Sequence, residues 1–260
     1  MRKYLTGFIL LFSMQFSYTQ VNNANIPDYA DEEVDFSVKY GILKIGEAHL
    51  DFHIDQNCHG ANIQVYARST GIIKFFKDIL FKYQCCMDTI TGLPFSDSRI
   101  LIEDDYVDIS TVYYDHLSRE DSSLVYSTKT DTVVVPKNIF DLLSGFYHYR
   151  TNCLNDKLPL DHTFSATTFF IDKVWDLKIR YCGKETVKTV YGPIECLKIK
   201  PVTIIGHFFH TADAMSIWLA NYGRYIPVKF TVDLKLGTLV GNISGYRFEG
   251  VENKIESMIE

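Results

Sequence analysis

The sequence lacks an excess of positive charge: 26 Lys and Arg stand against 32 Asp and Glu, for a formal charge of −6. Those charges are dispersed rather than gathered in tails, so there is no footprint for a phosphate backbone and nucleic acid is not an expected partner. Also missing are the Gly-x-Ser-x-Gly elbow, the His-Glu-x-x-His helix and the Gly-x-x-x-x-Gly-Lys phosphate loop. Their absence removes the commonest hydrolase, zinc-protease and nucleotide-binding chemistries. Without a Cys-x-x-Cys there is neither a thioredoxin-like dithiol nor a zinc ribbon. No linker rich in Pro, Gly or Ser, no low-complexity tract and no fixed-period repeat divides the chain, so a single domain is expected over residues 20–260. Nothing assembles a nucleophile, base and orienting group; the expectation is no enzyme and no cofactor.

What the chain does have begins with an address. Arg2 and Lys3 precede a mostly apolar stretch from Tyr4 to Phe16, too short for a comfortable bilayer span. It reads as a signal peptide over residues 1–19, with Ser17 and Thr19 at the minus-three and minus-one positions before Gln20; an uncleaved anchor is the alternative. No cysteine precedes Cys58, as a lipoprotein signal would need, and no later segment offers a span, so no transmembrane segment is expected after cleavage. A periplasmic, or otherwise exported, place in a Gram-negative envelope follows. In that oxidising setting Cys58, Cys85, Cys86, Cys153, Cys182 and Cys196 can pair completely, in fifteen ways. Cys182 and Cys196 flank a turn at Tyr191-Gly192-Pro193 and are the disulfide candidate; free, buried thiols are the alternative.

The body reads as strands. Val34 to Tyr40 alternates apolar and polar without a break, and Ala48, Leu50, Phe52 and Ile54 alternate with Glu47, His49, Asp51, His53 and Asp55. Asn57 to Gly60 supplies a turn into Ile63–Ala67, and Asp104-Asp105 looks like another hairpin turn. Further strands are expected at 81–85, 175–181 and 228–236. One-sided strands must bury an apolar face, and with few helices the sheet itself is the natural partner. The expected fold is therefore all-β with one or two short helices, an antiparallel β-roll or an open or closed β-barrel. Gly71 to Lys77, carrying Ile72, Ile73, Phe75 and Phe76, reads as a short helix or loop that plugs one opening or lids the core. A second helix, inserted near 138–150 after Pro136, places Ile139, Phe140, Leu143, Phe146 and Tyr147 at helical spacing and separates two β-rich halves.

Several signatures occur in order along the chain: Tyr40-Gly41 with Gly46-Glu47-Ala48; Asp88 with Thr91-Gly92-Leu93-Pro94; and Tyr114-Asp115-His116. They continue with Asp141-Leu142-Leu143-Ser144 and Tyr147-His148-Tyr149-Arg150, then Gly183–Val187 and Gly192–Cys196. Ile217-Trp218-Leu219, Ile226-Pro227-Val228 and Leu236-Gly237 close the series. Together they resemble the bacterial envelope family catalogued as domain of unknown function 3108. The resemblance implies an exported β-roll or barrel similar in outline to periplasmic lipoprotein carriers, with no catalytic residues to carry over; the cysteine number departs from it.

If the interior holds a lipid or acyl chain, Phe75, Phe76, Tyr147, Arg150, Trp175 and Trp218 are the candidate liners, with Arg150 as an anchor for an acidic head group. The competing reading has the aromatic residues filling core while Arg150 meets helix-terminal carbonyls or an inward carboxylate. His207, His210 and Asp213 are the metal candidates considered; in a regular strand the two histidines point to opposite faces, and no metal is expected. His49, Asp51 and His53 share a strand face, but roughly 13 Å separates the histidines, so a solvated face is preferred. Asp88-Thr89-Ile90 and Asp131-Thr132-Val133 resemble O-glycosylation sites of the Bacteroidetes. Two main function classes survive: a barrel that binds an apolar ligand, and a fully packed structural protein with an envelope protein or glycan as partner. An enzyme with a dispersed site is third.

Overall fold

Period-two patterning becomes antiparallel pairing throughout the computed structural model, which describes residues 31–55, 58, 60–202, 211, 213–248 and 251–252. The expected signal over residues 1–19 lies outside these. The first meander comprises β1 (Glu32–Tyr40), β2 (Leu43–Asp55), β3 (Gly60–Ser69), β4 (Ile79–Met87), β5 (Pro94–Glu103), β6 (Tyr106–Asp115), β7 (Ser122–Ser127) and β8 (Asp131–Pro136). After the helix α1 (Leu142–His148) come β9 (Thr163–Phe170), β10 (Lys173–Thr189), β11 (Gly192–Pro201), β12 (Met215–Ala220), β13 (Pro227–Asp233), β14 (Thr238–Phe248) and the short β15 (Val251–Glu252). Each half pairs its strands in chain order, and β1 joins β14 to fuse the halves into one sheet with β8 and β9 at its ends. The sheet curls into a nearly closed barrel of 14 antiparallel strands.

The expected alternation sets the faces. In β1, Glu32, Val34 and Phe36 are buried while Glu33 and Asp35 between them are only half-buried. The β5–β6 turn is Asp104-Asp105, with Asp104 at φ 53°, a left-handed position that Asp tolerates at modest cost. On the inner face Phe36 and Phe230 meet edge to face at 5.3 Å. Gly241 makes this possible, because a Cβ there would fall 2.1 Å from the Phe230 ring.

The helix lies between the two walls. Its Leu143 and Tyr147 join Val34, Phe36, Leu50, Phe52, Ile63, Tyr83 and Cys85 in the main core cluster. Tyr149 and Leu154, just beyond it, pack with Ile179, Tyr181, Leu197, Ile199, Ile217 and Leu219. Tyr147 stacks on Phe52 at 5.0 Å. Seven residues are too few for a helix to hold itself, so this packing holds it. It starts later than the expected 138: Asn138 turns the chain at φ 57°, Phe140 bridges Thr168 of β9, and Asp141 then caps. The helical path ends in a π-helical turn, Tyr149–Cys153.

Two expectations need correcting. The segment near 71–77 is a short 3-10 turn, Gly71–Phe75, on the barrel rim between β3 and β4, and it plugs nothing. Phe75 and Phe76 are 90% and 78% exposed, because a turn joining neighbouring strands projects along the barrel axis rather than across it. The disulfide is Cys58–Cys86, and Cys182 and Cys196 are free, as are Cys85 and Cys153. The Tyr191-Gly192 turn sets a register in which Cys196 faces Glu185, three positions from Cys182. Three residues of strand span about 10 Å, beyond the reach of a bridge. Alternation buries Cys85 and leaves its neighbour Cys86 on the opposite face, within reach of the β2–β3 turn that carries Cys58.

Candidate functional site

Beside the N-terminus of α1 the inner face carries polar groups that an apolar core would not need. Asp141 is fully buried and caps the helix, accepting from the backbone N–H of Leu143 at 2.7 Å and of Ser144 at 3.3 Å. It also accepts from the Cys85 thiol at 2.9 Å and the Tyr83 hydroxyl at 3.3 Å. Its neighbour Asp97, on β5, is buried too and accepts from the Tyr114 hydroxyl at 2.5 Å. Burial first, and the charge of Asp141 second, push the Asp97 carboxyl up to about 8. Burial raises Asp141 as well, but its four donor groups make it the better home for a negative charge. With its carboxyl pushed up to about 8, Asp97 is the member of the pair that holds a proton at neutral pH.

Above Tyr114 the cluster reaches a recess of roughly 410 Å³ at the rim, lined by Leu93, Phe95, Tyr114, His116, Leu117 and Lys137 among others. His116 stacks on Tyr114 at 6.0 Å and has both ring nitrogens engaged. Nε2 lies 3.1 Å from the Pro94 carbonyl and so must donate, which leaves Nδ1 to accept from the Ser123 hydroxyl at 3.0 Å. Burial lowers its pKa and keeps the ring neutral. The Lys137 ammonium is tied to the carbonyls of His116 and Arg119. As an active site this arrangement is poor: the imidazole is occupied at both ends and burial holds the Cys85 thiol well above its ordinary pKa.

Past the other end of α1, Arg150 is 0% exposed and forks onto Glu32, with Nη1 at 2.7 Å and Nη2 at 2.9 Å from its two carboxylate oxygens. Nε donates to the Arg224 carbonyl at 2.8 Å, and the guanidinium lies 5.3 Å from the Tyr147 ring centre. Of the candidate liners, Tyr147 and Trp218 fill core. Trp218 donates through Nε1 to Glu185 at 3.0 Å beneath the ammonium groups of Lys198 and Lys229, while half-buried Trp175 donates to the Phe170 carbonyl at 2.8 Å. Phe75 and Phe76 stand apart from all of these, in solvent.

Of the metal candidates, His207 and His210 lie outside the described residues and Asp213 pairs with Arg180 at 2.5 Å. Among the described residues no group of three or more His, Cys, Asp or Glu is disposed to hold a metal. His49 pairs with Asp35 at 2.7 Å and His53 with Asp51 at 3.0 Å, along an outward face where a polar depression of roughly 500 Å³ opens between Asp35, Glu47, His49, Tyr66 and Arg68. Of the glycosylation candidates, Thr132 is exposed at the start of β8 and Thr89 lies in the β4–β5 turn. Among the described residues no helix is long and apolar enough to cross a membrane.

Sequence reasoning missed Asp97, Cys85 and Glu32 as members of these clusters. The available signal was a charged residue at an apolar position of the alternation, as Glu32 is two residues before Val34. The signatures scattered along the chain meet in space: Asp88, Thr91 and Leu93 share the recess with Tyr114, Asp115 and His116, and Trp218 bonds Glu185.

No curated protein matches the chain. It is similar in fold to the crystal structure of a beta-barrel-like protein of domain of unknown function DUF1849 from Brucella abortus. The two are 10% identical with a TM-score of 0.57, over 86% of this chain and 100% of that one. The model of the family described as protein of unknown function (DUF3108) matches residues 35–244. Spanning most of the barrel, that match makes this chain a member of the DUF3108 family.

Proposed function

We propose that the protein is an exported, non-enzymatic part of the cell envelope that works through contacts made by the outside and rims of a self-filled barrel. The observation that carries this reading is the plug. Leu143, Tyr147, Tyr149 and Arg150 occupy the space between the walls where a carried lipid would lie. Export is supported by the basic and apolar N-terminal segment and by the Cys58–Cys86 bridge, since disulfides persist in oxidising compartments such as the periplasm. The occupied imidazole of His116 and the suppressed thiol of Cys85 support a role without chemistry.

A second reading keeps a ligand but moves it. The recess lined by Leu93, Phe95, Tyr114 and Leu117, with Lys137 at its edge, suits an apolar tail with an acidic head. Native mass spectrometry of the protein, purified without detergent from its own host, separates the two. The bare protein mass is expected. A reproducible adduct of lipid mass that Leu93→Asp abolishes would replace the first reading with the second.

A further inference from the structure

We propose that the barrel end opposite α1 docks onto an anionic lipid surface through three adjacent loops. This rests on the exported, packed-barrel reading and names its partner. The loops are the β13–β14 turn, the β1–β2 turn and the 3-10 turn between β3 and β4. They are neighbours because β13, β14, β1, β2, β3 and β4 follow one another in the sheet, and antiparallel pairing puts all three at one end.

Each loop holds large apolar side chains in water: Leu236 is 80% exposed, Ile42 95%, Leu43 54%, Phe75 90% and Phe76 78%. Lysines flank every tip: Lys235; Lys39 and Lys44; Lys74 and Lys77. Segments 39–44, 70–78 and 233–239 together carry five lysines against two aspartates, in a chain whose formal charge is −6. Lys44 pairs with Glu47, Lys74 with Asp78, and Lys77 with Glu103 and with Asp104 of the adjacent β5–β6 turn, whereas Lys39 and Lys235 make no ion pair among the described residues. The tips are braced rather than loose. The Tyr40 hydroxyl donates to the Leu236 carbonyl across two of the loops, and its ring lies where a Cβ on Gly237 would be, 2.7 Å from the hydroxyl oxygen. The third loop is tied to β2 by the Thr70 N–H, which donates to the Ile45 carbonyl at 2.9 Å.

The pattern favours a bilayer over a protein partner. Protein interfaces concentrate apolar area in a continuous centre and deplete lysine. Here short apolar tips alternate with long cations, which suits burial of the tips at the acyl boundary while the ammonium groups reach lipid phosphates.

The test is co-sedimentation of the full-length mature protein with vesicles of phosphatidylglycerol and phosphatidylcholine in equal parts, against phosphatidylcholine alone. Binding to the anionic vesicles is expected, weakening as salt rises. Phe75→Asp with Phe76→Asp should reduce it by about tenfold or more, and Leu236→Asp in a different loop should act the same way. Lys39→Glu with Lys235→Glu should also weaken it. Leu117→Asp, 93% exposed at the opposite end, should bind like the parent protein. No binding to anionic vesicles, equal binding by the Phe75/Phe76 variant, or equal loss in Leu117→Asp would each overturn the proposal. The packed-barrel reading fails separately, by a lipid adduct in native mass spectrometry that persists when vesicle binding is absent.

Discussion

At the end where α1 enters, Arg150 and Glu32 have lost all or nearly all contact with water, and Asp141 none retains; at the other end Phe75 and Ile42 are almost fully immersed in it. Buried charge at the one end and a group of neighbouring apolar tips in water at the other both run against the usual preference. The difference lies in what compensates. The buried charges are paired, as Arg150 is with Glu32, or accept hydrogen bonds, as Asp141 does, and these contacts fix the helix in the barrel, so their effect is on folding. The exposed aromatic residues touch little, so removing them costs the fold little and their effect must be sought elsewhere.

That contrast can be broken most severely at Arg150. Arg150→Ala leaves the Glu32 carboxylate buried and unpaired, and should destabilise the protein by about 3–5 kcal/mol in chemical denaturation. Replacing both partners, Arg150→Met with Glu32→Leu, should recover most of that loss; if it does not, the pair is more than a structural tie. Next in size is the bridge between residues 28 apart, whose removal by Cys58→Ser with Cys86→Ser should cost about 3 kcal/mol through the freed unfolded chain.

The carboxyl pair sharpens the comparison through pH. Asp97 is pushed up to about 8 in the folded protein, above its unfolded value near 3.8, so the folded state holds a proton that the unfolded state releases. Its contribution is fully present below about pH 4, declines as pH rises, and is gone above about 8, with a slope of up to about 1.4 kcal/mol per pH unit. Unfolding curves collected between pH 5 and 9 should flatten in Asp97→Asn. The smallest effect belongs to the opposite end: Phe75→Ser should change unfolding free energy by no more than about 0.5 kcal/mol. A larger loss would mean that the rim turn supports the core after all.

Much of the barrel was legible residue by residue. The strand at 34–40, the turn at Asp104-Asp105 and the two-faced β2 are readable because alternation and turn chemistry are local. The spacing of Ile139, Phe140, Leu143, Phe146 and Tyr147 announced a helix, though its start slipped from 138 to 142 because Phe140 found a strand to pair with and Asp141 caps. The candidate site was legible only in fragments. Arg150 was readable as a cation seeking an inward carboxylate, but that carboxylate is Glu32, 118 positions away.

By itself, then, the sequence determined the all-β class, several of the strands with their wet and dry faces, and the family, since each depends on neighbouring residues or on ordered motifs. Only the tertiary structure decided which cysteines bridge, which carboxyls are buried beside α1, that α1 packs between the walls, and which loops stand side by side. Those outcomes depend on strand order and closure through β1 and β14, and register across a curled sheet brings together residues whose separation along the chain carries no information about their separation in space.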